Sequence, residues 1–310
     1  MAEPSRSFCS STSTHFYPAA EQFPKIIYIF ACVVTVILSV SSSLGNTMIL
    51  LALRKCQSLH SPSKALLCSL ALTDLFVGLI VLPLFTAYYL MVILQIPRYY
   101  CVIAITYGRT STFIGGVSLL TVATIAIDRY LAFHLRLGYR ELVKLRRVLC
   151  ILGLEWIATA VWSGSWFWNT LINGYLGTIG LISCTLITLL CYLCIYRGLR
   201  HQAAQIHQQA NSSSLVVNFN VGQYRKTVNN MLWINGVFLG CYLPLLVSLF
   251  AILVTGLSNF TRFALHFSAI VTYLNSSLNP ILYCWKIKEL REKVMALFRV
   301  FYNFLSSDGQ

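Results

Sequence analysis

The sequence predicts an all-α protein: a seven-transmembrane helix bundle followed by a C-terminal amphipathic interfacial helix. Three observations predict it. Apolar residues make up 57% of the 310 residues and charged ones only 10%, too few to cover the surface of a soluble domain of this size. The apolar residues also fall into seven runs of the length, about 20 residues or more, that crosses ~30 Å of hydrocarbon. Finally, the net charge of +14 is concentrated in alternate links between those runs. In a soluble chain such a charge would point to nucleic acid; here membrane topology accounts for it, and no nucleic-acid partner is expected.

The runs are Pro24–Leu53, Ser63–Leu90, Tyr99–Phe133, Leu145–Trp168, Leu171–Leu199, Tyr224–Val254 and Thr261–Trp285. Residues 1–23 form a polar, Ser/Thr-rich tail without a basic segment or cleavage site, so the first run reads as a retained anchor. Seven crossings put the termini on opposite sides. With the first link inside, eighteen of the 23 lysines and arginines lie inside, which places the N-terminus outside; the plasma membrane is the expected location. The link Arg200–Gln223 is polar and expected to be mobile. After residues 24–285, residues 286–301 carry Ile287, Leu290, Val294, Leu297, Phe298 and Phe301 at three- and four-residue steps, the stripe of a helix lying on membrane lipid. Residues 302–310 are a short tail. Most of the eleven cysteines lie in apolar runs, where they behave as small hydrophobes. Cys191 and Cys194 spell C-x-x-C without a second pair or a His, and read as packing residues.

Ionisable and amide groups inside hydrocarbon are costly and usually mark function. Asp74 sits midway along the second run, with Ser118 in the third and Asn46 in the first. The seventh run adds Asn275, Asn279 and Tyr283, four residues apart and so on one face, with Pro280 placed to kink the helix. Interhelical hydrogen bonding without switching is the plainer alternative. Asp128-Arg129-Tyr130 sets an acid beside an arginine at the inner membrane edge, the arrangement of an electrostatic switch.

Taken in order, these motifs resemble those of rhodopsin-like G-protein-coupled receptors along nearly the whole chain. They are Gly45-Asn46, Leu70-Ala71-Leu72-Thr73-Asp74-Leu75, Asp128-Arg129-Tyr130, Trp156, Tyr192, Cys241-Tyr242-Leu243-Pro244 and Asn279-Pro280-Ile281-Leu282-Tyr283. The resemblance implies that Asn46, Asp74, Ser118, Asn275 and Asn279 form a polar core holding an allosteric sodium ion, with Asp74 its charged ligand and no other cofactor. It implies that Asp128, Arg129, Tyr130, Tyr192 and Tyr283 rearrange to receive a heterotrimeric G protein, and that Phe238, Tyr242 and Pro244 act as the sixth-helix toggle.

The chain departs from that pattern in several places. Tyr242 stands where the family carries Trp, and Cys184 where the fifth helix carries Pro. Tyr224, Arg225 and Lys226 offer no acid to lock Arg129, which predicts raised basal activity. The loop Asn169–Asn173 is short and lacks the family's cysteine; a Cys9–Cys101 bridge and free thiols both remain open. The short loop and the missing Pro resemble the branch containing melanocortin, cannabinoid and lysophospholipid receptors.

The outer halves of the helices contain no Asp or Glu, and Ser111 occupies the position where amine receptors carry Asp. Tyr273 replaces the retinal lysine of opsins. A biogenic amine and retinal are therefore not expected. The expected ligand is small and apolar or amphiphilic, among Ser111, Phe113, Trp162, Leu249, Tyr273 and neighbours such as Tyr88 and Trp166. Arg109 would receive an anionic head group or, alternatively, snorkel to the interface. Asn259-Phe260-Thr261 is an outward glycosylation sequon. No catalytic triad or metal-ligand spacing supports an enzyme. A non-signalling scaffold, or a channel or transporter, is the alternative to a receptor.

Overall fold

The computed structural model describes residues 23–57, 59–135, 138–165, 170–212, 221–256 and 258–307. Cys9, Trp166 and nearly all of the N-terminal tail lie outside them, as do the side chains of Cys101, Tyr224, Arg225 and Lys226. Seven long helices make the bundle: α1 Lys25–Lys55, α2 Ser61–Ile93, α3 Pro97–Leu135, α4 Leu145–Gly164, α5 Thr170–Ser212, α6 Val221–Thr255 and α7 Asn259–Lys286. α8, Lys288–Ser307, follows directly, and a single turn, Tyr139–Leu142, bridges α3 and α4. α3 packs on α2, α4 and α5, while α7 packs on α1 and α6.

The bundle is organised with apolar surface outward. Ile26, Phe30, Val33 and Ile37 of α1 are exposed, as are Leu154, Ile157 and Val161 of α4 and Ile179, Leu186 and Leu190 of α5. Inside lie Asn46, Asp74, Ser118, Asn275 and Asn279, each at most 5% exposed. That inversion suits a lipid surround, where polar groups find partners only within the protein. Among the described residues, five helices are long and apolar enough to cross a membrane: Lys25–Lys55, Ser61–Ile93, Val102–Leu135, Asn173–Gln202 and Gly236–Thr255. α4 and α7 fall outside that set, and both are interrupted by polar groups: α4 by Arg146, Arg147 and Glu155, α7 by Arg262, His266 and its amides.

Close approach explains the local irregularities. Residues Val77–Val81 of α2 form a π turn, which frees a carbonyl from the regular ladder. Gly78 O accepts a hydrogen bond from Ser39 Oγ of α1 at 2.6 Å. A Cβ at Gly78 would stand 2.5 Å from Ser43 Oγ, so α1 and α2 touch only because position 78 has none. Gly45 likewise lets α1 reach Pro280 of α7.

The fifth helix corrects one expectation. Residues 200–212 continue α5 rather than forming a mobile link. Hydropathy ends at Leu199, but Gln202, Ala203, Ala204 and Gln205 are helix formers and prolong the helix beyond the apolar run. Residues 213–220 lie outside the described set. α8 runs to Ser307, beyond the expected end at residue 301.

Candidate functional site

Three polar or aromatic clusters converge on α3 and α7. The first lies at the end of α3. Arg129 Nη2 contacts Asp128 Oδ2 at 2.6 Å and also donates to Ser63 Oγ of α2. Tyr139 OH, from the turn after α3, donates to Asp128 Oδ1 at 2.7 Å. Burial raises the Tyr139 phenol above its ordinary range, opposed by its hydrogen bond with Ser63, so it stays a hydroxyl donor at neutral pH. The pairing of Arg129 with its neighbour follows the sequence expectation; Ser63 and Tyr139 were not legible as partners, since their spacing from Asp128 carries no periodic signal. Tyr130 is half-buried and stacks on His134, ring centroids 5.6 Å apart.

A cavity of about 500 Å³ lies at this end of the bundle, lined by Arg129, Tyr192, Phe238, Tyr283, Lys286 and Glu289, among others. Tyr192 and Tyr283, 8% and 6% exposed, approach it from α5 and α7. The cavity wall thus joins Arg129 to both tyrosines expected to move with it. Glu289 of α8 fixes the rim by accepting from Cys56 Sγ at 3.0 Å and from the Gln57 amide at 3.0 Å.

The second cluster lies deeper. Asn279 Nδ2 donates to Asp74 Oδ2 at 2.7 Å. Asn46 Nδ2 donates to the backbone oxygens of Ser42 and Ser276 at 2.8 and 3.0 Å, lacing α1 to α7. Ser42 Oγ donates to Asp74 O. Asp74 Oδ1 and Asn46 Oδ1 are buried oxygens without a hydrogen-bond partner. Two unsatisfied oxygens, with Asn279 already bonded to Asp74 and with Ser118 and Asn275 also buried in the bundle interior, are of the kind that fits a small hard cation or ordered water. Phe238, which lines the cavity, pairs with Tyr242 of α6 at 4.4 Å between ring centroids; the two lie six and two residues before Pro244, whose carbonyl accepts from Ser248.

At the opposite end, the structure divides the expected ligand residues. Ser111 and Tyr273 meet: Tyr273 OH shares hydrogen bonds with Ser111 Oγ at 2.7 Å and Tyr107 OH at 2.9 Å. Around them, Phe85 stacks on Tyr107 at 4.6 Å and Tyr88 on His266 at 5.8 Å. Phe113 packs at the edge of this cluster and meets Trp156 of α4 edge-on at 5.6 Å. Trp162 is wedged between Gly116 of α3 and Gly177 of α5, where added Cβ atoms would come within 2.8 and 2.7 Å of it. Its indole N–H donates to Asn173 O, and Asn173 Nδ2 returns a bond to Trp162 O. Trp162 is therefore a strut between α3, α4 and α5. Leu249 packs among Leu245 and Leu246 on the α6 side of the core. Arg109 accepts from Ser163 through its backbone oxygen. Asn259 is exposed in the first turn of α7, where Thr261 completes a capping box with Ser258. His266, Tyr107 and Glu155 had not been singled out; Glu155, an acid inside the fourth apolar run, carried a sequence signal by that fact alone.

With this geometry in hand, comparison with known proteins places the chain. The family described as 7 transmembrane receptor (rhodopsin family) matches residues 45–170 and 162–283. Over 298 residues the chain is 25% identical to adenosine receptor A3 of Canis lupus familiaris, spanning 89% of this chain and 93% of that one. It is 28% identical to the histamine H2 receptor of the same species over 86% of this chain and 79% of that one. It is also 26% identical to trace amine-associated receptor 5 of Rattus norvegicus, over 88% and 85% respectively. These relatives correct the branch expected from the short loop. One loop and one missing proline are local changes and weigh less than similarity spread along the chain; the similarity runs to adenosine, histamine and trace amine receptors, not to the melanocortin, cannabinoid and lysophospholipid branch. This is a multi-pass membrane receptor and not an enzyme: the chain belongs to the rhodopsin family of seven-transmembrane receptors.

Proposed function

We propose that this receptor responds to a small, aromatic or amphiphilic ligand carrying no obligatory cation, entering from outside the cell or from the bilayer, and passes the signal to a heterotrimeric G protein at the Arg129 end. One observation carries the ligand reading. The hydroxyl of Ser111, at the place where amine receptors carry Asp, is engaged with Tyr273. Among the described residues of that end no Asp or Glu is present to pair with an ammonium group. Of the chemistries named by the relatives, adenosine is uncharged at neutral pH and histamine is not, so the aromatic cluster suits the former kind better. The amine reading rests on the similarity to histamine and trace amine receptors alone. G-protein dissociation in cells expressing the chain, challenged with adenosine and with histamine, separates the two. A response to histamine that survives removal of every uncharged candidate refutes the proposal.

At the Arg129 end, the cavity wall of Arg129, Tyr192 and Tyr283 supports reception of the G protein. Release of Arg129 from Asp128 and Ser63 is the switching step, and the Phe238–Tyr242 pair relays motion of α6 about Pro244. The unsatisfied oxygens of Asp74 and Asn46 support an allosteric sodium ion held by Asp74 with Ser118, Asn275 and Asn279. When bound, the ion supplies charge neutralisation for a carboxylate in the protein interior. The N-terminus is outside, Asn259 is a glycosylation acceptor on that side, and α8 lies along the inner leaflet; Leu290 and Val294 of its expected lipid-facing stripe pack into the bundle instead, which leaves Met295 and Phe298 exposed toward lipid.

A further inference from the structure

Glu155 is a carboxyl group inside the bundle that none of the steps above uses. It lies on α4, 7% exposed. Thr121 Oγ1 of α3 donates to its Oε2 at 3.0 Å, and Thr124 Oγ1, one turn further along α3, donates to its Oε1. Thr121 shares a further, longer hydrogen bond with Ser69 of α2. Among the described residues no lysine or arginine pairs with Glu155. A lone carboxyl group in hydrocarbon is costly, so the two hydroxyl donors are what make the position tolerable.

Those bonds restrain α3 in return. A threonine hydroxyl within a helix ordinarily bonds the carbonyl four residues back, as Thr47, Thr106, Thr110 and Thr185 do here. Thr121 and Thr124 reach across to α4 instead. With Asp128 they recur at i, i+3 and i+7 and share one face of α3. Asp128 is itself held by Ser63 and Tyr139. The face that ends in the arginine switch is therefore tied at two levels, to α4 through Glu155 and to α2 and the following turn through Asp128.

We infer that Glu155 is a positioning residue for signalling: a carboxyl tether on α4 that holds α3 where Arg129 rests on Asp128, so that loosening it raises agonist-free coupling. This rests on the reading of Arg129 as the switch. The test uses the full chain, in phosphatidylcholine nanodiscs for hydrogen exchange and in cells for G-protein dissociation at matched surface level. Glu155→Gln keeps the size and replaces a charged acceptor by a neutral one; the double variant Thr121→Val, Thr124→Val removes both donors from the other side. Both are expected to speed amide exchange over residues 121–135; Glu155→Gln, which exchanges charge-assisted bonds for neutral ones, should raise agonist-free dissociation about fivefold, and the double valine variant, which strips the carboxyl group of both donors, at least as much. Adding Arg129→Ala abolishes that gain, which a merely structural lesion, lowering surface level alone, would not produce. Should Glu155→Gln fail to reach the surface, the double valine variant decides. Unchanged exchange in α3 overturns the tether whatever the signal does, and unchanged signalling in a coupling-competent receptor overturns it as well. Faster exchange with a raised signal that persists after Arg129→Ala is added upholds the tether and refutes the Arg129 reading.

Discussion

At the residue scale, the account depends on a few hydrogen bonds to two acids. Asp128 takes a donor from Tyr139 in addition to its contact with Arg129. Removing that hydroxyl in Tyr139→Phe costs about 1 kcal/mol of resting-state preference, roughly fivefold in the equilibrium. Raised agonist-free signalling is the expected result, and a wild-type level would show that Tyr139 does not hold the switch. For Asp74 the test is thermal. Sodium chloride, compared with choline chloride, should raise the unfolding temperature of the purified receptor by binding the folded state. Asp74→Asn should remove the difference. A sodium effect that persists in the variant would place the ion elsewhere. The sequence made Asp74, Asn279 and Arg129 legible because a polar group in an apolar run is conspicuous. It did not reveal Ser63 or Tyr139, because those partners meet Arg129 and Asp128 through the packing of α2 and the turn after α3, a matter of tertiary geometry and not of period. Glu155 was equally conspicuous, but nothing in its spacing says that it faces Thr121 and Thr124.

At the scale of elements, the run boundaries were legible wherever apolarity and helix end together, as in α3 and α7, and not where they part. α5 is the clear case: its apolar run stops at Leu199, while its helix goes on to Ser212. The packing of Trp162 was not legible for a related reason. An aromatic residue near a helix end reads as a pocket wall or interfacial anchor, whereas small residues on two neighbouring helices turn it into a strut. Gly177→Val should therefore destabilise the receptor by about 1–3 kcal/mol through overpacking against the indole. Gly180→Val, where nothing lies within 4 Å of the added carbon, should leave the unfolding midpoint near wild type. Equal effects of the two substitutions would remove the strut.

At the scale of the molecule, an apolar exterior around a polar interior is the organisation expected in lipid, and composition alone made it legible. What composition could not give is how the two ends differ. One end holds a cavity walled by Arg129, Tyr192 and Tyr283; the other is filled by stacked aromatic rings with Ser111 and Tyr273 joined among them. A ligand acting at the aromatic end must shift a two-state bundle whose far end carries the arginine. Introducing the carboxylate that amine receptors carry, in Ser111→Asp, should create or strengthen a histamine response; no change would show that Ser111 does not govern the choice of ligand charge.

The central claim is that Arg129 couples this bundle to a G protein, and agonist-free G-protein dissociation tests it most directly. The measurement is made in cells across the main Gα classes, comparing wild type with Arg129→Ala at equal surface level. The account predicts a basal signal in at least one class, since the sequence offers no acid on α6 to lock Arg129, and its loss in the variant. A basal signal that persists undiminished in Arg129→Ala would contradict the account.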